Sequence, residues 1–463
     1  MKNNLIKKID NLMKSAQSSK EMGDFSSALF NFNEILNIDR SNKKALNNIA
    51  NVYKEMKHFD EAIKYYSKAL VSDPDYIIAK INLAVLHHDL GNLDEAEKFY
   101  KEIINLDKNN LGVYFNLSRI NINYFNKAKI KFIENLVIDK NISNYNKASG
   151  YFILAKKQEQ IKNFDKEILF LKMGHEFFLK SIPIKNYQHN TEYWLNIIPK
   201  KFSKIKINDS DILNKENENI NPIFIIGMPR SGSTLVESII SSGNLKIPNG
   251  GETAVINWAL LKNRRNEFFN DSLENIDIDY KDLKNNVLEK YKSLNLVYKN
   301  DGSFFTDKSL ENFFYIDIIL SLFPKAKFIN CRRNNVDNIF AIYQNFLTKM
   351  TWTHSIKDII NYFDNYLTTI DYYNKKYKDK IFQVQLEELT TNSKKISKDL
   401  FNFCNLKWSE KSLEFHKRKD LFSSTASNIQ IREKIFKYNK EKYLAYEKYI
   451  KEFSSDFHWL KKD

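Results

Sequence analysis

Small and large apolar residues recur every 34 positions in the first part of the chain. Four sets of positions keep this spacing: Phe25, Phe59 and Leu93; Ala28, Ala62 and Ala96; Ala16, Ala50 and Ala84; and Phe32, Tyr66 and Tyr100. Small residues suit the points where two helices cross, and large residues fill the space between helices. The period therefore predicts stacked helix pairs over roughly the first 200 residues.

The 34-residue period resembles the tetratricopeptide repeat, in which each unit is a pair of helices. The best copy runs from about Lys43 to Asp75, and a degenerate unit recurs near Ala155–Phe170. Ordinary amphipathic helical hairpins are the alternative. In either case the concave face of a helical solenoid suits a protein partner or self-association.

Beyond about residue 220 the pattern changes to short apolar runs that alternate with helical segments. Three runs predict strands: Ile223–Ile226, Phe328–Cys331 and Ile381–Leu386. Helical periodicity covers Phe313–Leu322 and Val336–Leu347. Such alternation is typical of a parallel sheet that binds ligands at the carboxyl ends of its strands. The predicted fold class is thus an all-α repeat solenoid followed by an α/β domain with a central parallel sheet.

The boundary between these two parts coincides with a change in composition. Five of the eleven glycines and three of the seven prolines lie between Pro222 and Gly251. A polar run precedes them, and we place the boundary near Asn214–Ile220. This gives a helical repeat domain at residues 1–215 and a second domain at residues 219–463.

Composition excludes few classes of protein, but it indicates the size of the protein and its cellular environment. The chain has 463 residues, 43% of them hydrophobic, which predicts a folded protein of at least two domains. Its two cysteines, Cys331 and Cys404, predict no disulfide framework. We see neither a signal peptide nor an apolar run long enough to span a membrane, so we expect a cytoplasmic protein. Solvated lysines explain the net charge of +15 without a nucleic-acid partner.

The loop Gly227–Thr234, Gly-Met-Pro-Arg-Ser-Gly-Ser-Thr, follows the first predicted strand and opens a helix. Backbone N–H groups and a helix N-terminus at such a turn favour an anion. The spacing matches the P-loop template Gly-x4-Gly-Lys-Ser/Thr, except that Ser233 stands where the lysine should be. Arg230, inside the loop, is the remaining cation. A loop of this kind suits an anionic group that is transferred without help from a metal ion.

Pro-Arg-Ser-Gly-Ser-Thr at 229–234 resembles the 5′-phosphosulfate loop of sulfotransferases, which bind 3′-phosphoadenosine 5′-phosphosulfate (PAPS). The region from about Ile220 to Phe453 is similar to bacterial sulfotransferases that carry tetratricopeptide repeats, which are themselves similar to tyrosylprotein sulfotransferases. The resemblance implies that the donor's phosphosulfate is held by the loop residues: Pro229, Arg230, Ser231, Gly232, Ser233 and Thr234. It implies PAPS as the donor substrate and no metal.

Two further segments carry the catalytic groups that the resemblance implies. Asn-Gly-Gly-Glu-Thr at 249–253 matches the segment that holds the family's general base, here Glu252. Sulfuryl transfer needs a base because a neutral hydroxyl is a poor nucleophile. Lys308, in Asp-Lys-Ser-Leu-Glu-Asn, would stabilise the charge that develops on the leaving oxygen. With Arg230, these form the predicted catalytic set.

The segments for the far end of the donor match the family less completely. Lys327–Asp337 is similar to the 3′-phosphate segment, with Arg333 as the phosphate ligand, but Ala341 replaces the family's helix serine. The lost hydroxyl contact would cost about 1–2 kcal/mol unless another group replaces it, and Asn338 or Tyr343 is a candidate. Near the end of the chain, a segment similar to Thr-Ala-Ser-x-x-Gln-x-Arg implies three more donor ligands or supports: Ser427, Gln430 and Arg432.

Three hypotheses follow from the sequence. The first is a PAPS-dependent sulfotransferase that acts on a hydroxyl of a protein, with tyrosine as one candidate, of a sugar or of a small metabolite. The second is a P-loop phosphotransferase or nucleoside triphosphatase, against which Ser233 argues. The third is a non-catalytic repeat scaffold with a decayed sulfotransferase domain, of which Ala341 would be the first sign.

Overall fold

The chain folds into a helical part and an α/β part. The computed structural model describes residues 2–208, 220–262, 265–269, 275–297, 303–418, 420–439, 443–453 and 455–460. The helices of the first part are α1 Lys2–Glu21, α2 Phe25–Ile38, α3 Lys43–Glu55, α4 Phe59–Ser72, α5 Ile77–Leu90, α6 Leu93–Leu106, α7 Leu111–Ile120, α8 Lys127–Ile138, α9 Asn144–Gln160, α10 Phe164–Ser181, α11 Ile184–Glu192 and α12 Ile198–Lys201. A π-helical turn, Tyr193–Ile197, separates α11 from α12.

The helix pairs predicted from the 34-residue period are confirmed. Each period holds two antiparallel helices joined by a short turn, and the alanines that recur within it are fully buried where helices meet. Side chains in the turns cap several helices. Asp24 accepts a hydrogen bond from the N–H of Ser27 at 3.0 Å, and Asn42 accepts one from Ala45 at 3.0 Å.

The second part is built on a four-stranded parallel sheet in the order β4–β2–β5–β6. Its strands are β2 Ile220–Gly227, β4 Ser303–Asp307, β5 Lys327–Arg332 and β6 Ile381–Gln385, and a short parallel pair beside it consists of β1 Ile205–Asn208 and β3 Ile276–Asp279. The predicted parallel sheet is therefore confirmed. The sequence patterns did not reveal β1, β3 or β4.

Helices cover the sheet and connect its strands. They are α13 Ser233–Ser241, α14 Val255–Leu261, α15 Arg265–Phe268, α16 Tyr280–Ser293, α17 Ile316–Leu322, α18 Asn335–Tyr343, α19 Ile356–Lys376, α20 Leu386–Thr391 and α21 Ser393–Phe403. The predicted helix at 313–322 begins instead with a 3₁₀ segment, Leu310–Tyr315. The predicted helix at 336–347 ends early, at Tyr343.

The polar run in which we predicted the domain boundary, residues 214–219, lies outside the described residues. The strand before it, β1, already pairs with β3 of the second part. The proposed domain ranges 1–215 and 219–463 therefore stay a prediction.

The two parts share an apolar core. One buried cluster includes Phe32 and Phe152 of the helical part together with Phe224 and Phe313 of the α/β part. Phe346, just after α18, stacks on Phe152 with ring centroids 4.5 Å apart. This apolar contact, between buried Phe152 and half-buried Phe346, packs the helical repeats against the α/β part. Within the described part of the chain, no helix combines the length and apolar character needed to cross a membrane.

Candidate functional site

The loop after β2 turns sharply and leads straight into α13. Gly227 lies so close to β5 that a Cβ there would stand 2.4 Å from the carbonyl oxygen of Cys331. Arg230 and Gly232 both have left-handed backbones, with φ of 66° and 92°. A non-glycine residue held in this region is under strain, which is common at functional loops. The loop therefore presents its N–H groups and the start of α13 to one point in front of the sheet.

Arg230 bridges this loop to the segment 424–430. Its guanidinium hydrogen-bonds to the hydroxyl of Ser427, and Nη2 donates to Oε1 of Gln430 at 3.3 Å. Its buried Nε has no hydrogen-bond partner among the described residues. Burial lowers the pKa of Arg230 to about 10, and the positive charges of Arg333 and Arg119 add to this effect. A cationic group in this setting is suited to an anionic ligand.

The other loop residues divide between structural and cavity-lining positions. Two cavities meet at Arg230, and Pro229 lines the larger of them. The carbonyl of Pro229 accepts a hydrogen bond from Asn338 at 2.7 Å. The hydroxyl of Ser231 is buried and donates to the Met228 carbonyl at 2.7 Å, so it stabilises the loop itself. Ser233 and Thr234 open α13 and line the larger cavity.

Arg333 directly follows β5 and contacts the backbone of Arg230. Its Nε donates to the hydroxyl of Tyr438 at 3.1 Å, and Nη1 donates to the backbone carbonyl of Arg230 at 3.2 Å. The rings of Tyr438 and Tyr443 each lie 5.0 Å from the guanidinium. A cavity of about 220 Å³ is lined by Arg230, Arg333, Ser427 and both tyrosines. This smaller cavity joins two arginines that are far apart in the sequence.

Ala341 offers no polar group to this cavity. It is buried on α18 within the core shared by the two parts. Of the two residues considered as substitutes for the missing hydroxyl, Tyr343 stacks on His175 at 4.2 Å, away from the loop. Asn338 instead hydrogen-bonds to the loop backbone at Pro229. Asn338 therefore supports the loop from the helix that carries Ala341.

Glu252 and Lys308 form an ion pair in front of the sheet. Nζ of Lys308 lies 2.9 Å from Oε1 of Glu252, the lysine fully buried and the glutamate 37% exposed. Burial acts to lower the pKa of Lys308, but the carboxylates of Glu252, Glu237 and Asp307 outweigh it and raise the pKa above its ordinary value. Lys308 is thus held as a cation that faces Glu252.

The backbone that carries Glu252 is fixed from three directions. The N–H of Gly251 donates to buried Glu237 at 2.9 Å, and its carbonyl accepts from the Lys308 N–H at 2.8 Å. Lys57, in the turn between α3 and α4, donates from Nζ to the carbonyls of Asn249 and Gly250 at 2.5 and 2.7 Å. Burial lowers the pKa of Lys57 to about 8. The helical repeats therefore contact the Glu252 loop directly.

A second carboxyl group close to the ion pair titrates near neutrality. Glu311, in the 3₁₀ segment after Lys308, has its pKa raised to about 7, first by burial and then by the charges of Asp307 and Glu252. It does not line either cavity. It is a neighbour whose charge acts on the pair.

The larger cavity, of about 510 Å³, lies where the two parts meet. The α/β part contributes residues that include Arg230, Ser233, Thr234, Glu252 and Ser427. The helical part contributes an opposite wall that includes Phe115, Arg119, Phe152 and Lys156 together with two acidic residues, Glu159 and Glu167. The structure therefore brings the predicted loop residues other than Ser231, together with Glu252, into one cavity, with Lys308 directly behind Glu252.

Arg432, which the sequence placed with the donor ligands, lies elsewhere. It lines neither cavity, and its guanidinium donates to the carbonyls of Asp89 at 3.0 Å and Leu421 at 2.9 Å and to Asn428 at 3.1 Å. Because Asp89 belongs to α5, Arg432 ties the C-terminal segment to the repeats. Its position indicates a structural role.

Replacing Arg432 with methionine should destabilise the fold and leave donor binding unchanged. Loss of hydrogen bonds from a charged group should lower the free energy of unfolding by about 1.5–3 kcal/mol. Denaturant unfolding measures this, and titration with adenosine 3′,5′-bisphosphate measures binding. Exposed Lys407→Met is the control. Weaker binding without a loss of stability would return Arg432 to the donor site.

Several residues in or beside the site were missed by sequence reasoning, and four of them make contacts that matter here. They are Lys57, Arg119, Glu237 and Tyr438. Glu237 has a weak signal, since it is an acidic residue on the buried face of the helix that the loop opens. The repeat residues Lys57 and Arg119 have none, because their partners Asn249 and Thr425 are 192 and 306 positions away.

The comparisons with known proteins agree with the two-part architecture. Residues 44–76 and 78–110 each match the tetratricopeptide repeat, and residues 222–410 match the sulfotransferase family. Over 336 residues the chain is 27% identical to an uncharacterized protein of Aquifex aeolicus (strain VF5). That match covers 70% of this chain and 43% of the relative, so the chain spans less than half of the relative's length.

Several solved structures have a detectable likeness to parts of this chain. The sulfotransferase domain of the Synechococcus PCC 7002 olefin synthase aligns with 48% of this chain and 86% of its own, at 16% identity and a TM-score of 0.34. Sulfotransferase STF1 of Mycobacterium tuberculosis H37Rv aligns with 63% of this chain and 92% of its own, at 10% identity and 0.29. The MamA protein aligns with 37% of this chain and 93% of its own, at 18% identity and 0.29.

Proposed function

The chain carries tetratricopeptide repeats followed by a domain of the sulfotransferase family, and on this premise we propose that it transfers a sulfuryl group from PAPS to a hydroxyl of an acceptor. The observation that carries the proposal is the arrangement of Arg333, Arg230 and Glu252 along two cavities that share Arg230. Arg333 and Arg230 line the smaller cavity, and Arg230 and the carboxylate of Glu252 line the larger one.

The residues present fit such a donor. Arg333 and the aromatic rings of Tyr438 and Tyr443 would hold the 3′-phosphate end in the smaller cavity. Arg230 and the N–H groups at the start of α13 would hold the phosphosulfate, and the unpartnered Nε of Arg230 is a donor that such an anion would satisfy. PAPS would supply the sulfuryl group that is transferred, and adenosine 3′,5′-bisphosphate would be the leaving group.

Glu252 and Lys308 would act on opposite ends of the transfer. The exposed carboxylate of Glu252 faces the larger cavity, where it would accept the proton of the acceptor hydroxyl. Lys308 orients that carboxylate at 2.9 Å and would offset the negative charge that develops on the leaving phosphate oxygen. Lys308 lines neither cavity and its side chain is 1% exposed, so it would act on the leaving oxygen from behind Glu252.

We propose a protein tyrosine as the acceptor. Phe115, Phe152 and Phe346 give the larger cavity an aromatic wall, with Phe115 and Phe346 rings 5.5 Å apart. Such a wall suits a flat ring next to the reacting hydroxyl. A set of peptides with tyrosine, matched peptides with serine, and oligosaccharides tests this class. Transfer to sugars alone would contradict it.

Ligand binding tests the proposed donor without knowledge of the acceptor. Adenosine 3′,5′-bisphosphate should raise the melting temperature more than ATP does, with or without Mg²⁺. Arg333→Met should remove most of that increase, because it loses the planar cation at the 3′-phosphate. Greater stabilisation by ATP with Mg²⁺ would favour a P-loop nucleotide enzyme, and no stabilisation at millimolar bisphosphate would favour a non-catalytic scaffold.

Replacing Lys57 with methionine should slow the reaction, because this residue of the repeats contacts the loop that carries Glu252. The change removes two hydrogen bonds to the backbone just before Glu252, so the base would be positioned less well. We expect kcat to fall by about tenfold, as loss of orientation does elsewhere, and the Kd for adenosine 3′,5′-bisphosphate to stay the same. Exposed Lys64→Met is the matched control. An unchanged kcat would show that the repeats do not position the base.

A further inference from the structure

Arg119 is a cation of the helical repeats that faces the larger cavity. It lies near the end of α7, and its partly buried guanidinium donates from Nη2 to the backbone carbonyl of Thr425 at 3.2 Å. Throughout the described ranges, no carboxylate oxygen lies within ion-pair distance of it. The acid that acts on it through space, Asp89, is paired with Lys54 at 3.5 Å. A guanidinium withdrawn from water without a counter-ion is unfavourable, and a bound anion would relieve this cost.

The two cavities place Arg119 relative to the donor. Arg230 lines both of them, whereas Arg333 lines the smaller and Arg119 and Glu252 line the larger. If Arg333 takes the 3′-phosphate and Arg230 the phosphosulfate, the sulfuryl end of the donor projects toward the side of Glu252. Arg119 lies on that same side. Its position therefore matches the group that is transferred and not the adenosine bisphosphate that remains.

The helical part holds Arg119 in a fixed relation to the donor loops. Lys156 on α9 donates from Nζ to the carbonyl of Ser118, the residue before Arg119, at 2.9 Å. Residues 423–428 are tied to the end of α5, since the Ser423 N–H donates to the Asp89 carbonyl at 3.0 Å and Asn428 donates to the His88 carbonyl at 2.6 Å. Thr425 in turn lies beside Thr234 of the loop, with hydroxyls 3.2 Å apart. These bonds fix Arg119 beside the loop residues.

We propose that Arg119 completes the anion site for the sulfuryl group, so that a repeat residue binds the donor directly. This inference rests on the proposed function. It assigns the repeats a part in the active site itself, beyond any part they have in binding a partner. A carboxylate or another anionic group on the acceptor would also present negatively charged oxygens to Arg119. Such a group is the alternative ligand.

Comparison of two ligands tests the proposal, because only PAPS carries the sulfuryl group. PAPS and adenosine 3′,5′-bisphosphate are titrated by calorimetry into wild-type protein and Arg119→Gln, without acceptor. We expect the Kd for PAPS to rise on the order of tenfold or more, as for a lost charge-assisted hydrogen bond. The Kd for the bisphosphate should change by less than about threefold. Arg40→Gln, an exposed arginine of the same repeats, is the matched control.

The remaining outcomes overturn the proposal. An equal loss for both ligands would mean that Arg119 only supports the loop at Thr425, and no loss for either would mean that it does not bind the donor. If both Kd values are unchanged and steady-state transfer assays of Arg119→Gln show a change confined to the KM of the acceptor, the anion belongs to the acceptor. If Arg119→Gln does not fold, Arg119→Lys is compared in the same way and should show a smaller loss that is again confined to PAPS. Wild-type protein that binds neither ligand would instead refute the proposed function.

Discussion

Replacing Glu252 with glutamine should reduce kcat for sulfuryl transfer by about 10²–10⁴-fold, the usual contribution of a positioned general base. The amide keeps the shape of the carboxylate and can still accept a hydrogen bond from Lys308, but it cannot take the acceptor's proton. Binding of adenosine 3′,5′-bisphosphate should be unchanged, because Glu252 lines the larger cavity and not the smaller one. Steady-state transfer of labelled sulfate from PAPS measures the effect.

Two controls separate the loss of the base from a loss of structure. Glu410→Gln removes an exposed carboxylate far from the cavities and should leave kcat unchanged. Glu252→Asp keeps the carboxylate but shortens the side chain by one methylene, so an intermediate kcat is expected. If Glu252→Gln retained full activity, another group would have to take the proton, and half-buried Glu311, whose pKa is raised to about 7, would be the first to examine.

Replacing Lys308 with methionine should lower kcat by about 10²–10³-fold, as does loss of one group that stabilises a developing negative charge. Methionine is similar in length and apolar, so it fits the buried position. The variant also leaves Glu252 without its cation at 2.9 Å and Glu237 with only Lys57 as a nearby positive charge. We therefore expect a lower melting temperature together with the lower kcat.

The two effects of Lys308→Met can be measured separately. Lys308→Arg keeps the charge and should restore most of the stability but only part of kcat, because the guanidinium is larger and planar. Exposed Lys325→Met is the control for loss of a lysine at the surface. A destabilised Lys308→Met variant with wild-type kcat at low temperature would limit Lys308 to a structural role.

The sequence allowed prediction of the elements that have strong local patterns. The 34-residue period revealed the helix pairs because each unit repeats the same buried alanines, and Ile223–Ile226 and Phe328–Cys331 revealed the central strands because these are buried on both faces. The strand β4 was missed, since only two of its five residues, Phe304 and Phe305, are apolar. The strands β1 and β3 do alternate apolar and polar residues, as Ile-Lys-Ile-Asn and Ile-Asp-Ile-Asp, but each is only four residues long, so the pattern was overlooked.

The position of a candidate residue at the carboxyl end of the sheet was predictable where one short segment supplies both the backbone turn and the side chain. The Arg230 loop and the Glu252 and Lys308 segments are of this kind. Contacts between distant parts of the chain were not predictable. Arg432 matched a family motif, yet its guanidinium lies against Asp89, a residue of α5 that is 343 positions away. Lys57 and Arg119 belong to repeats whose surface positions follow no pattern that reveals a partner.

The most direct test of the account is the conversion of PAPS to adenosine 3′,5′-bisphosphate with labelled sulfate recovered on an acceptor. Wild-type protein, Glu252→Gln and Lys308→Met are each incubated with PAPS and a pool of tyrosine-containing peptides. We expect wild-type protein to label the peptides, and Glu252→Gln and Lys308→Met to label them far more slowly. Wild-type protein that binds the bisphosphate but transfers no label to peptide, sugar or small hydroxyl acceptors would contradict the account.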